Sequence, residues 1–177
     1  MEVHMDFFET VRNRHSVRKY QPRAVEEEKL DRILETVNAA PSAGDLQAYQ
    51  VILVQDRAIK LALSQAAYGQ DCFVEAPLAL VFCADHLMSA GKYGKRGAEL
   101  YAVQDATIAT AYCQLAATAL GLATVWVGAF DPAAVAKAIN APEHVTPVSM
   151  IPIGYAAEEP GPTSRRKLDD LVKMEKL

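Results

Sequence analysis

Apolar residues recur along this chain in two rhythms, and one further stretch is almost continuously apolar. Over residues 25–40, Leu30, Ile33, Leu34 and Val37 fall at i, i+3, i+4 and i+7, which predicts a helix with one buried face. Glu26, Glu27 and Glu28 crowd its first turn, where the helix dipole favours acids, and Pro41 stops it. A shorter helix is predicted over 6–13, with Asp6 as N-cap and Phe7, Phe8 and Val11 as its apolar face. Residues 57–67 and 132–139 also read as helices, the second with Asp131 as cap and Pro132 in its first turn. The short runs VILV at 51–54 and LALVFCA at 78–84 predict fully buried strands. Further strands are expected at 123–127 and 147–153, an extended segment at 16–20, and a short turn near Gln70.

Residues 98–120 break both rhythms. Leu100, Val103, Ala106, Ile108, Ala109, Ala111, Leu115, Ala116 and Ala119 make this predicted helix apolar nearly all round, so it should be buried on every side. A domain of 177 residues has few places to hide it, and pairing with a second copy across a two-fold axis predicts a homodimer. A central helix in a monomer is the alternative. From Ala106 to Phe130 there is no charged residue, a length that could span a membrane. Thr107, Thr110, Gln114, Thr118 and Thr124, with Gly121 dividing the run, point instead to a buried helix followed by a buried strand. Helices and strands do not alternate as strict βαβ units, so an α+β sandwich is expected rather than a doubly wound sheet.

The connections read as follows. PSAGDLQA at 41–48 is a loop or very short turn. Residues 88–97, with Lys92, Lys95 and Arg96 among three glycines, read as a flexible basic loop, either a plain surface connection or a rim that attracts an anionic substrate. The domain is taken as 1–155. Residues 156–177, opening on Glu158, Glu159 and Pro160, form a C-terminal arm of the same domain that ends in a short helical patch.

Composition removes several function classes. A net charge of −4 and a pI near 5.6 argue against a phosphate-tracking nucleic-acid binder. Cys72, Cys83 and Cys113 form no metal-ligand spacing and read as buried free thiols. With no recognisable signal peptide at the start, a reducing cytoplasm is expected. His4, His15, His86 and His144 have no neighbours at metal-ligand spacing, so no metal site is expected. There is no dinucleotide-binding glycine fingerprint and no nucleophile elbow. The Ser16–His15 pair is adjacent in an extended segment, where neighbours point to opposite faces, which argues against a hydrolase.

Against this acidic background, RNRHSVRKY at 12–20 concentrates Arg12, Arg14, His15, Arg18 and Lys19 around Ser16. In a strand, residues 14, 16 and 18 share one face. Arg14 and Arg18 carry planar forks suited to phosphate, and Ser16 can donate between them. A solvated patch paired with Glu26 and its neighbours is the competing reading.

RHSVR resembles the opening signature of the FMN-dependent nitroreductase-like family, as its short-chain members carry it. APSAGDLQ at 40–47, GLATVWVGAF at 121–130 and IPIGY at 151–155 followed by Arg165 and Arg166 resemble its later motifs, in the same order. The resemblance covers almost the whole chain. It implies the family's sandwich, a central mixed or antiparallel sheet flanked by helices, with a long buried helix at the dimer interface and two FMN sites at that interface. Arg14, Ser16 and Arg18 would hold the FMN phosphate and ribityl chain, with His15 contributing through its backbone. Arg165 would close from the arm, with Arg166 as its neighbour. Pro41, Ser42, Ala43 and Asp45 would lie against the flavin ring from the partner subunit. Gln70 would meet the ring's polar edge, and Val127 and Gly128 its reactive edge. Trp126 would pack behind, although a lone Trp in an apolar run equally reads as core.

The resemblance implies a ping-pong cycle, with NAD(P)H giving hydride to flavin N5 and a small electron-poor acceptor, a nitroaromatic or quinone, taking its place. No side-chain acid or base is required, so no catalytic side chain is expected. Two departures bear on this. Asp45 stands where the family often has Asn, and an ionised carboxylate accepts hydrogen bonds but cannot donate them. Ala48-Tyr49 stands where Pro-Trp often follows. An FMN-binding storage or sensing protein without efficient turnover is the alternative function, and a structural dimer with a basic patch and no cofactor is a third.

Overall fold

The computed structural model describes residues 5–176, so His4 lies outside the described residues. Four strands, β1 (Tyr49–Val54), β2 (Leu78–Asp85), β3 (Ala123–Thr124) and β4 (Val145–Gly154), form one antiparallel sheet in the order β1-β2-β4-β3. The helices are α1 (Phe7–Asn13), α2 (Glu27–Asn38), α3 (Arg57–Ala66), α4 (Cys72–Glu75), α5 (His86–Arg96), α6 (Ala102–Ala119), α7 (Pro132–Ala138) and α8 (Leu168–Leu171). The expected α+β sandwich is therefore present. Among the described residues the one parallel contact is an isolated bridge between Ser16 and Thr124.

β2 shows why its sequence runs apolar without alternation. Leu78, Leu80 and Phe82 pack in the layer of α2 and α6, while Ala79, Val81 and Cys83 pack in the opposite layer with Leu63 of α3 and Val135 of α7. Both faces are covered, so both sets of positions must be apolar. A bulge at Phe82–Cys83 shifts the pairing with β4 from Ser149 to Pro147. β1 departs from expectation, because it is an edge strand in which Tyr49, Val51 and Ile52 are half-buried, Gln50 and Leu53 are exposed, and only Val54 is buried.

The capping signals hold. Asp6 forms a capping box with Glu9, and Asp131 accepts from Ala133 and Ala134 at the start of α7. The apolar side of α1 does not sit as expected: Phe7 and Phe8 are 64% and 69% exposed in a single chain. Residues 88–97 are not a flexible loop. They lie mostly in α5, which breaks at Gly94 (φ 56°, ψ −143°), a backbone that favours glycine. A π-helical turn, Gly97–Tyr101, then leads into α6.

Within one chain the long helix keeps one side uncovered. Gln104, Thr107 and Ala111 of α6 are exposed in one chain. Its inward polar residues anchor it to the sheet, with Thr110 Oγ1 2.8 Å from Ser149 Oγ and Gln114 Nε2 donating to Thr124 Oγ1 at 3.0 Å. Among the described residues no helix is long and apolar enough to cross a membrane. All three cysteines are free and buried. Burial pushes the Cys72 thiol up to about 11 and the Cys83 thiol up to about 12.

Candidate functional site

The basic segment begins where α1 ends. Arg14 turns extended (φ −70°, ψ 110°) after closing the last helical bond to Thr10. The chain then runs beside β3, with Val17 N donating to Thr124 O at 3.0 Å. Alternation sets the faces. Val17 and Tyr20 are buried, while Ser16 and Arg18 are exposed and Arg14 is half-buried. The Tyr20 hydroxyl donates to Val17 O at 2.8 Å, with Pro152 O at 3.2 Å, and burial raises its pKa strongly.

Two acids that sequence reasoning passed over fix this backbone. Glu158 accepts from Arg18 N at 2.6 Å and Lys19 N at 3.2 Å. Glu75 accepts from Lys19 Nζ at 2.8 Å and Tyr20 N at 3.3 Å, and the Lys19 ammonium holds the Glu75 carboxyl below its usual range. Ala157 N donating to Lys19 O closes the other edge. By contrast, the side chains of Arg14, Ser16 and Arg18 make no hydrogen bond or ion pair among the described residues. The expected patch pairing with Glu26 does not involve them: Glu26 is taken by Arg23, Lys29 and Tyr155. His15 turns to the other face, beside a cavity of about 220 Å³ that Asn13, Thr118 and Leu122 also line, and its buried Nδ1 has no partner among the described residues.

The 41–48 loop is the second feature. It contains a short 3₁₀ turn, Ala43–Asp45, and three left-handed residues: Gly44 (φ 59°), Asp45 (φ 58°) and Gln47 (φ 49°). Left-handed backbone costs an L-residue about 1–2 kcal/mol, so something must hold it there. Asp105 of α6, only 2% exposed, accepts from Ala43 N at 2.9 Å and Ala48 N at 3.3 Å. Ser42 Oγ accepts from Gln47 N at 2.9 Å, and Gln47 Nε2 donates to Asn38 O at 2.9 Å. From the other side, Lys92 and Tyr93 of α5 lie so close to Gly44 that a Cβ there would collide with both. Pro41 and Asp45 remain exposed.

The remaining candidates fall as follows. Val127 exchanges two hydrogen bonds of 3.0 Å with Met150, which extends the β3 edge. Trp126 is half-buried in the α2–α6 layer, and Gly128 is exposed. Gln70 is half-buried just before α4. Arg165 donates to Ser164 O and Arg166 to Asp170 O, within a stretch exposed from Ala157 to Lys176. The fold thus brings Ser16 and Val17 beside Thr124, and residues 18–21 beside 155–158. It places 41–48 against α5 and α6 instead, and no hydrogen bond or ion pair among the described residues joins that loop, Gln70, Arg165 or Arg166 to the 14–18 row. No cluster of His, Cys, Asp and Glu among the described residues is placed to hold a metal ion.

Asp105 had a signal in the sequence: it is the only charged residue between Glu99 and Asp131. Glu158 and Glu75 had none, because their partners lie 140 and 56 positions away.

Comparison with known proteins bears on the whole arrangement. A Thermus thermophilus protein named NADH dehydrogenase is 34% identical, covering 90% of this chain and 91% of its own. A Bacillus subtilis protein named FMN reductase (NAD(P)H) is 32% identical, covering 86% of this chain and 67% of its own. The crystal structure of a nitroreductase family protein from Clostridium difficile superposes with a TM-score of 0.87 at 32% identity, over 98% of this chain and all of that one. The Nitroreductase family profile matches residues 11–155, which take in the end of α1, the basic segment, the 41–48 loop and the whole sheet, and the chain belongs to that family.

Proposed function

We propose that this protein binds FMN and uses NAD(P)H to reduce small, flat, electron-poor acceptors such as nitroaromatics and quinones. The observation that carries this reading is the row of Arg14, Ser16 and Arg18 beside β3, with two guanidinium groups that have no carboxylate partner among the described residues. A phosphate dianion fits such a row: it supplies the missing charge and accepts from both forks. The names of the relatives, NADH dehydrogenase and FMN reductase, support the same cofactor and donor.

FMN, when bound, would supply the hydride chemistry. The chain's own residues would bind and orient it. Arg14 and Arg18 would hold the phosphate, Ser16 would donate between them, and Arg165 would close from the arm with Arg166 beside it. His15 would contribute backbone rather than its ring, which turns away from the row. Val127 and Gly128 would present backbone along one ring edge, Trp126 would pack behind it, and Gln70 would meet the polar edge. Pro41, Ser42, Ala43 and Asp45 would cover the ring from a second copy. Within one chain that loop makes no hydrogen bond to the phosphate row, which supports a site completed at a homodimer interface. The exposed Phe7 and Phe8 of α1, the stripe of Gln104, Thr107 and Ala111 on α6, and the exposed apolar residues of the arm support the same assembly.

Steady-state oxidation of NADH and NADPH tests the reading, with a nitroaromatic and a benzoquinone as acceptors. Parallel double-reciprocal lines are the expected result. A holoprotein that keeps FMN yet turns over neither acceptor would instead support a storage or sensing role, which the exposed Asp45 carboxylate favours if it lies against the ring.

A further inference from the structure

Resting on the reading that the 41–48 loop faces the flavin, we propose that Asp105 is its positioning residue. In this role one buried carboxylate on α6 holds the loop in its ring-facing shape before any cofactor arrives. Gly44, Asp45 and Gln47 all have positive φ within four residues, and two of them are not glycine. Strained backbone of this kind persists only where the surroundings over-determine it. Asp105 does so with both oxygens: Oδ1 accepts from Ala43 N and Oδ2 from Ala48 N. These two amides flank the left-handed residues, so one carboxylate staples both ends of the strained turn. Hydrogen bonds to a buried charged acceptor are among the strongest available to a backbone N–H.

The grip is two-sided. Lys92 Nζ donates to Gly44 O at 3.4 Å, and Tyr93 lies against Gly44 from the same helix. Asp105 therefore holds the loop from beneath and α5 confines it from above. Asp105 also lies between the exposed Gln104 and Thr107 in sequence, on the helix proposed to meet the second copy. The same helix would thus set both the dimer contact and the shape of the loop delivered across it.

Asp105→Asn is the test. Asn is nearly isosteric but keeps one acceptor oxygen, so its amide group meets one of the two backbone donors. The expected result is a dimer with unchanged circular dichroism, FMN affinity reduced about tenfold or more, and visible flavin bands moved toward those of free FMN. A structural role alone would leave those bands in place in every molecule that still holds FMN. FMN bound by the variant with wild-type affinity and wild-type bands overturns the inference while leaving the proposed function intact. Absence of FMN on the wild type overturns the proposed function and this inference with it. Should the variant not fold, amide exchange at Ala43 and Ala48 in the FMN-free wild type decides. Slow exchange supports a loop pre-formed by Asp105, and fast exchange that slows only with FMN overturns it.

Discussion

Replacing Arg18 by Met removes one of the row's two guanidinium groups, neither of which has an ion-pair partner among the described residues, while keeping much of the side chain's length. The structure sets the two magnitudes apart. Arg18 is exposed, and its backbone N–H donates to Glu158 whatever the side chain is, so folding stability should change by no more than about 0.5 kcal/mol. A hydrogen bond between charged groups contributes about 1.5–3 kcal/mol, so the FMN dissociation constant should rise about 10- to 150-fold. The assay is a fluorescence titration of the cofactor-free protein with FMN at two salt concentrations, alongside a thermal melt. Screening shortens the reach of the lost charge, so the gap between wild type and variant should narrow as salt rises. An unchanged affinity with an unchanged melt would refute the reasoning, and RNRHSVRKY would then be a solvated surface. A collapsed melt would refute the claim that the segment is held by its backbone rather than by this side chain.

Other outcomes follow from the same coordinates. Tyr20→Phe removes a buried hydroxyl that donates to Val17 O, and should cost about 1–1.5 kcal/mol, lowering the melting temperature by a few degrees. The Glu26 carboxyl is held down at about 2, first by its hydrogen bond from Tyr155, against an ordinary 4.5. A depressed folded-state value means its stabilisation is present above pH 4.5 and is lost as pH falls toward 2, so acid melts of Glu26→Gln should fall less steeply over that window. Cys72, with its thiol near 11, should be ionised in roughly one molecule in a thousand at pH 8, and all three thiols should react with a disulfide reagent only after unfolding.

The sequence made the local structure readable where side chains act on their own neighbours. Asp6, Asp131 and Pro132 begin helices where their chemistry requires, and the Leu30–Val37 period gave the buried face of α2. It was least readable where distant residues decide. The glycines and lysines of 88–97 look like a loop in isolation, yet α5 forms because the chain there packs on Gly44 and the π turn, and its break is confined to Gly94. The apolar run of 98–120 hid the exposure of Thr107 and Ala111, because Ala and Thr are compatible with either environment. Of the candidate site, the shared face of Arg14, Ser16 and Arg18 could be read from spacing, since a strand's alternation separates them from the buried Val17, while the phosphate role came from the family resemblance. The supports of the row and loop could not: Glu158, Glu75 and Asp105 act across the fold on backbone amides, and backbone amides leave no mark in a sequence.

The most direct test of the account is the visible spectrum of the purified protein after incubation with FMN and desalting, followed by anaerobic addition of NADH and then NADPH. The account predicts retained flavin bands that bleach with at least one nicotinamide and return on adding a quinone. A protein that emerges from desalting with no flavin bands would contradict it.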